Sequence, residues 1–420
     1  MEDALHDYQR EGVDFLVDHP LGMLGDDPGL GKSAQAIRAA IEADVSEAFI
    51  LCPAIARVSW EKEIRKWDPA RMIRWRVASY DSVGLAANRD GRKELRERMA
   101  TARRSALILD EAHYLKSPGA NRTKAVYGKG GLAEHAKLVW SLSGTFAPNH
   151  AGELYPHLKF RGIFAGTKTE FEDQFCKVRD TPFGRQIVGS KNLDKLRELL
   201  APVFLKRRKA DVLTQLPPLQ FVEEPVEVDK ADIPPDLADA NVGAGLTDDE
   251  FIAALSGQAT HVATARRLLG LAKVEPAAQW AEGLLASGVR KLVLFAHHKD
   301  VIDRLAERLV EWNPVTLTGS TPHAERTKAV DRFQGDSSCR VFVGQMQAAG
   351  TAITLTAAAD VGIVEASWTP SDNYQAACRC HRIGQRDGVL ARFLHVPGTL
   401  DARIARVYRR KAEEIAELFE

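Results

Sequence analysis

An excess of charge of either sign is missing from this chain: its 420 residues hold 57 Lys and Arg against 57 Asp and Glu. Cysteine is scarce. Its five positions (Cys52, Cys176, Cys339, Cys378, Cys380) are too few and too unevenly spaced for a disulfide framework, and no CxxC pair offers zinc-ribbon geometry. A reducing compartment is therefore expected. The N-terminal MEDALHDYQR carries acids where a signal peptide needs basic residues, and no apolar core follows it before the first glycine-rich motif, so export is not expected. The one long uncharged run, Val341 to Ala359, holds Gly344, Gln345, Gln347, Gly350 and three threonines, a polar density that argues against lipid. Internal repeats and low-complexity tracts are also lacking. With 45% hydrophobic residues over this length, what remains is a globular chain of two or three domains.

Zero net charge conceals an uneven distribution. Residues 1–218 hold 35 basic and 29 acidic side chains, residues 219–262 hold 1 and 10, and residues 263–420 hold 21 and 18. Arg57 to Arg104 alone carries 14 basic against 7 acidic. Two mildly basic blocks are thus masked by an acidic stretch, and the basic excess reads as a phosphate-binding surface or as a solvated charged face.

Short apolar runs recur, each followed by a loop and a helical pattern: AFILC before Pro53, ALILD before Glu111 and LVWSLS before Gly144. The rhythm returns in KLVLF (from Lys291), RVFVG (from Arg340), VGIVEA (from Val361) and LARFLHV (from Leu390). Strands buried on both faces and alternating with helices predict an α/β fold of two parallel-sheet lobes. The expected boundaries are 1–218 for the first lobe, with a mostly helical insertion over about 150–216, 219–262 for an acidic connector with a short helical protrusion, and 263–420 for the second lobe.

Three clusters carry chemistry, and in such sheets ligands gather at the carboxyl ends of the strands. In GDDPGLGKS (Gly25 to Ser33), Gly29 and Gly31 let backbone N–H groups close around phosphates, Lys32 supplies a cation and Ser33 a hydroxyl for Mg²⁺. Asp26 stands where the strict GxxxxGK[ST] pattern has its first glycine, so an ordinary glycine-rich turn capping a helix is the alternative. LILDEAHYLK places Asp110 and Glu111 at the tip of an apolar strand, where one acid holds a Mg²⁺ shell while the other polarises water, or where both are a solvated strand end. In QAACRCHRIGQ, helical spacing puts Gln375, Arg379 and Arg382 on one face, suited to neutralising a transferring phosphoryl group or, more plainly, to a basic surface helix.

HRIGQ, together with DEAH, GLGKS and LKRRKADVLTQLPP (Leu205 to Pro218), resembles the Swi/Snf-type family of superfamily 2 helicase-like ATPases, over nearly the whole chain. LLGLAKVEPAAQW, KLVLFAHHKDVIDRL and AAGTAITLTAA are most similar to its annealing-helicase, HARP-type branch. The resemblance implies two RecA-like lobes, hydrolysis of ATP with Mg²⁺, and movement on duplex or forked DNA by a monomer, with no membrane partner. It implies that Gln9 reads adenine, that Lys32 and Ser33 bind phosphate and metal, that Asp110 holds the metal and Glu111 activates water. It further implies that Ser143 and Thr145 couple the ATP site to nucleic acid, that Gly350 belongs to the fifth motif, that Arg379 and Arg382 are arginine fingers, and that Trp60 and Lys116 touch or flank DNA.

Several residues depart from the family's pattern: Pro28 for methionine, Ser33 for threonine, Phe146 for proline and Cys378 for an acid. Asp26, Phe146 and Cys378 motivate one rival, a DNA-binding scaffold with a vestigial ATPase, and the DEAH string another, an RNA helicase. His297–His298 and Cys378/Cys380/His381 lack four ligands at a zinc spacing. With motifs filling the chain from end to end, a bare motor in a bacterial or phage-infected cytoplasm is expected, ahead of a nuclear setting. The ten carboxylates of Glu223 to Glu250 are either a solvated linker or a mimic that occupies a DNA groove.

Overall fold

A computed structural model of the chain describes residues 5–85, 89–181, 184–213, 216–239, 245–248, 250–251, 259–346, 353–367, 369–382 and 384–417. The chain divides into two compact units, Met1–Leu213 and Thr214–Glu420. The strands are β1 (Met23–Leu24), β2 (Glu47–Cys52), β3 (Arg74–Ser79), β4 (Ser105–Asp110), β5 (Leu138–Leu142), β6 (Cys176–Thr181), β7 (Gly184–Ser190), β8 (Phe204–Leu205), β9 (Leu219–Pro225), β10 (Leu292–Ala296), β11 (Val315–Leu317), β12 (Val341–Gln345), β13 (Asp360–Ile363) and β14 (Val389–His395).

In the first unit six parallel strands run in the order β3-β2-β4-β5-β1-β8. The apolar runs are buried on both faces because alternate side chains feed separate cores. Leu107 and Leu109 of β4 join Met23, Phe49, Leu51 and Val139 on one side. Ala106 and Ile108 join Leu24, Ile50, Trp140 and Leu142 on the other. Helices Asp7–Asp18 and Lys32–Glu42 cover the second of these faces through Val13, Leu16, Ala36, Ile37 and Ala40.

The segment expected to be mostly helical contains helices Tyr155–Phe160, Lys168–Phe175 and Leu193–Leu200, and also an antiparallel hairpin, β6 with β7. Val178 and Ile187, paired across that hairpin, pack on the first core, which is why the strands form there.

The second unit repeats the plan, with parallel order β11-β12-β10-β13-β14-β9. Its edge strand β9 comes from the Pro-rich acidic stretch and pairs with β14 from Leu219↔Val389 to Pro225↔His395. Proline is tolerated at an edge, where one row of N–H groups has no partner strand. Carboxylates of this stretch are committed locally: Glu223 to Arg409 (3.0 Å), Glu224 to Arg392 (3.6 Å) and Asp248 to Arg410 (2.6 Å). Among the described residues no helix is long and apolar enough to cross a membrane.

One buried charge stands out in this unit. Lys273, 2% exposed, donates to Leu394 O at 3.2 Å and to both carboxylate oxygens of Asp401 at 3.2 and 3.0 Å. Removing one partner of a buried pair leaves an uncompensated ion, so Asp401→Ala should lower the stability of this unit by about 3–5 kcal/mol. Urea unfolding followed by a probe in the second unit checks this, and an unchanged midpoint would refute it.

Candidate active site

Register brings the motifs of the first unit together. Leu24 of β1 lies opposite Leu142 of β5 and Leu205 of β8, and Leu142 lies opposite Asp110 of β4. Four strands therefore end level, and residues 25–33, 111–116, 143–146 and 206–209 all leave the sheet along one edge. Parallel strands impose this, since every carboxyl end points the same way.

The glycine-rich loop turns sharply into its helix. Gly29 has φ +96° and Gly31 φ +79°, and Gly31 is the left-handed N-cap of helix Lys32–Glu42. A Cβ on Gly31 would meet Gln9 Nε2 at 2.4 Å. Gln9 is buried there, donating to Leu30 O (3.1 Å) and accepting from His6 N (3.0 Å). Lys32 Nζ donates to the carbonyls of Asp26 and, at 3.2 Å, Asp27. Burial lowers the pKa of its ammonium, against the pull of Glu111, Asp26, Asp27 and Asp110. Ser33 follows in the first turn of the same helix.

Asp110 ends β4, and its Oδ2 accepts from the indole of Trp60 at 2.7 Å. Burial, then the Glu111 carboxylate, pushes Asp110 up to about 6. Trp60 was expected beside DNA. At 2% exposure it instead holds this carboxylate and has no face to offer a nucleic acid. Glu111 takes a left-handed φ of 48°, which turns the chain out of the strand. His113 Nδ1 lies 3.3 Å from Glu111 Oε2 and 3.1 Å from Ser143 Oγ. The Ser143 hydroxyl in turn donates to Thr145 O (2.9 Å) and accepts from Thr145 N (3.3 Å). His113 is thus hydrogen-bonded to the β5 loop, with the Glu111 carboxylate beside the same ring nitrogen. Lys116 pairs with Glu153 at 2.9 Å.

The arginines of the second unit sit differently from their expected helical face. Helix Pro370–Ala377 carries Gln375 but stops before Cys378, where the bonds tighten to Arg379 N→Ala376 O and Cys380 N→Ala377 O. Arg379 and Arg382 lie in turns beyond it, so they do not share a helix face with Gln375. Arg379 is 3% exposed, and the surface-helix alternative does not fit so buried a guanidinium. Arg382 donates to Cys378 O (3.2 Å) and Thr354 Oγ1 (3.3 Å). Gly350 lies outside the described residues.

Sequence reasoning missed three participants. His113, inside the DEAH string, is a link between Glu111 and Ser143. Gln35 and Arg207 hold Asp26, which is fully buried. The aspartate that breaks the strict loop pattern was the available signal, since an acid there requires a partner. Other departures also have a physical place: Pro28 lies against Gly144, where a Cβ would meet it at 2.9 Å, and Phe146 packs edge-on against Phe204 and His157.

The loop fits phosphate: left-handed glycines turn it, a lysine sits on its own carbonyls, and a hydroxyl and a carboxylate flank it. These features define a phosphate-loop α/β lobe followed by a second parallel-sheet lobe. A model of the SNF2-related domain matches residues 72–230, and a model of the helicase conserved C-terminal domain matches residues 277–384. The chain belongs to the Swi/Snf-type family of helicase-like ATPases. It is 28% identical to the cattle "DNA annealing helicase and endonuclease ZRANB3" over 97% of this chain and 40% of that protein. It is 30% identical to the Xenopus tropicalis "SWI/SNF-related matrix-associated actin-dependent regulator of chromatin subfamily A-like protein 1", over 98% of this chain and 44% of that protein. The chain thus spans less than half the length of these two relatives. Among solved structures, the "Sulfolobus solfataricus SWI2/SNF2 ATPase core in complex with dsDNA" aligns over 100% of this chain and 93% of its own, at 20% identity and TM-score 0.43. These curated relatives are animal proteins, one of them named a regulator of chromatin, and they overturn the bacterial or phage cytoplasm expected from the sequence.

Asp110 yields a signed prediction. A carboxyl raised from 3.8 to about 6 in the folded chain holds its proton more tightly folded than unfolded. Its charge therefore costs stability above about pH 6 and costs none below about pH 4. Asp110→Asn should raise the melting temperature of the first unit at about pH 8 and leave it near wild type at about pH 4. Calorimetry at both values checks this, and a lower melting temperature at the higher pH would contradict it.

Proposed function

We propose that this chain is an ATP-hydrolysing motor that translocates on duplex DNA. The observation that carries the reading is the level row of strand ends, which sets Lys32, Ser33, Asp110, Glu111 and Ser143 along one edge of one sheet.

In this reading the amides of the Gly29–Gly31 turn and the helix N-terminus bind the phosphates of ATP, and Lys32 leaves the Asp26 and Asp27 carbonyls for the outer phosphate. Ser33 and Asp110 hold Mg²⁺, which when bound neutralises charge on the phosphates. Trp60 fixes the Asp110 oxygen that it bonds, and Glu111 takes the proton of the attacking water. Gln9, against Gly31, reads the base. His113, Ser143 and Thr145 pass changes at Glu111 to the β5 loop, and Gln375 belongs with this coupling. Arg379 and Arg382 neutralise the phosphoryl group in transfer. Gly350 keeps its expected place in the fifth motif as a proposal only.

Duplex DNA as the track is supported by the basic stretch from Arg57 to Arg104 and by a relative named as a DNA annealing helicase. Lys116, tied to Glu153, flanks that track. Duplex DNA should stimulate ATPase activity more than structured RNA does, and the stimulation should fall steeply as salt rises. Glu111→Gln should bind ATP yet turn it over at background, and Arg382→Ala should lose about 10³-fold in rate. Steady-state ATPase assays with DNA and RNA side by side, across a salt series, check the rates, and equilibrium nucleotide binding checks that Glu111→Gln still takes up ATP. Equal background rates for wild type and Glu111→Gln would leave a DNA-binding scaffold instead.

A further inference from the structure

The Asp26 carboxylate is fully buried beneath the phosphate loop, and Arg207, 8% exposed and 181 residues later, closes on it. Arg207 Nε donates to Asp26 Oδ1 at 3.0 Å, while Nη2 donates to Asp26 Oδ2 at 2.6 Å and to Gln35 Oε1 at 2.8 Å. Gln35 Nε2 completes the ring with bonds to Asp26 Oδ2 (3.0 Å) and to Leu30 O (3.1 Å). Leu30 O also accepts from Gln9 Nε2 (3.1 Å) and the Tyr8 hydroxyl (3.3 Å), and the Tyr8 ring lies 5.4 Å from the Arg207 guanidinium. Main chain fastens the same two segments: Gly25 N donates to Leu205 O (2.7 Å), Asp27 N to Arg207 O (3.1 Å), and Lys209 N to Asp27 Oδ2 (3.0 Å).

The first helix leaves room for this network. A Cβ on Gly12 would fall 1.8 Å from Gln35 Oε1 and 2.6 Å from Arg207 Nη2. Glycine inside a helix weakens it, and here the close approach of the Gln35–Arg207 pair explains its presence.

We infer that Arg207 is a positioning residue for nucleotide binding: its planar fork pins Asp26 and Gln35, and through them sets the phosphate loop before a phosphate arrives. The inference rests on the nucleotide-binding reading of that loop. Only a planar guanidinium reaches both Asp26 oxygens and Gln35 together, whereas a lysine ammonium in its place makes a single-centred contact. Amides that are already aligned bind an anion without first being ordered, so loosening the fork weakens binding while the groups that touch phosphate stay intact. Arg207 touches no reacting atom in this scheme. It acts through Asp26, Gln35 and Leu30, and it lies in the last stretch of the first unit, which ends at Leu213.

The test uses the full chain with two variants that disturb the fork from opposite sides, Arg207→Lys and Gly12→Ala, and with Arg208→Gln as control, since Arg208 pairs with Asp211 instead. Four measurements are made: hydrogen exchange of residues 25–31 without nucleotide, equilibrium binding of a fluorescent ADP analogue, steady-state ATPase kinetics, and the melting transition, which establishes that each variant is folded. Both variants should speed exchange in the loop and weaken ADP binding about tenfold, the loss of one charge-assisted hydrogen bond, while the control changes neither. KM for ATP should rise by more than kcat falls. Unchanged loop exchange in the folded variants overturns the proposal, as does faster exchange with wild-type ADP affinity. If Arg207→Lys does not fold, Gly12→Ala decides the matter by the same readouts. A wild-type chain that takes up no ADP while the variants still loosen the loop overturns the nucleotide reading and leaves the clamp on the loop standing.

Discussion

The parallel register of the first sheet is the constraint on which the site depends. Leu24, Asp110, Leu142 and Leu205 end four strands in one row, so loops that are far apart in sequence leave the sheet at the same edge. Each strand is buried on both faces by alternating side chains that belong to separate cores. A slip of one residue would exchange the two cores' side chains, which is why the register is held and the row of loops with it.

At that edge, burial is the second governing fact. Lys32 and Asp110 are both pushed toward their neutral forms by desolvation and pulled back by each other's charge. Lys206 nearby is brought down to about 8, again chiefly by burial, with Asp27 opposing. In a poorly solvated site a charge is tolerable only with a partner. The pairing of Asp26 with Arg207 follows from the same rule. It also accounts for the aspartate in place of the first glycine of the loop: the position is filled by an acid because an arginine from the end of the unit reaches it. The second unit applies the rule at Lys273 and Asp401, and again along β9, where Glu223 and Glu224 meet arginines of the last helix and of β14.

Much of this was legible in the order of residues. Apolar runs such as ALILD and KLVLF announced buried parallel strands, and the glycine loop and the acid pair offered a phosphate chemistry by residue type and spacing. The helical face drawn for QAACRCHRIGQ does not form, since the helix ends at Ala377. Elements whose formation rests on distant partners were less legible. The β6–β7 hairpin lies where a helical insertion was expected, because Val178 and Ile187 find a core supplied by other segments. Strand β9 emerges from a stretch rich in proline and acid, because β14 offers it an edge. Trp60 looked like a nucleic-acid contact until its indole was found against Asp110.

The sequence by itself determined the α/β class and the two-lobed plan, since periodicity is a property of neighbouring residues, and it marked by residue type the groups proposed to handle phosphate. Tertiary structure alone decided that Arg207 meets Asp26, that His113 bridges Glu111 and Ser143, and that the helix bearing Gln375 stops short of Arg379. Those contacts are set by the register and packing of strands distant in sequence, and no local pattern encodes a distance across a sheet.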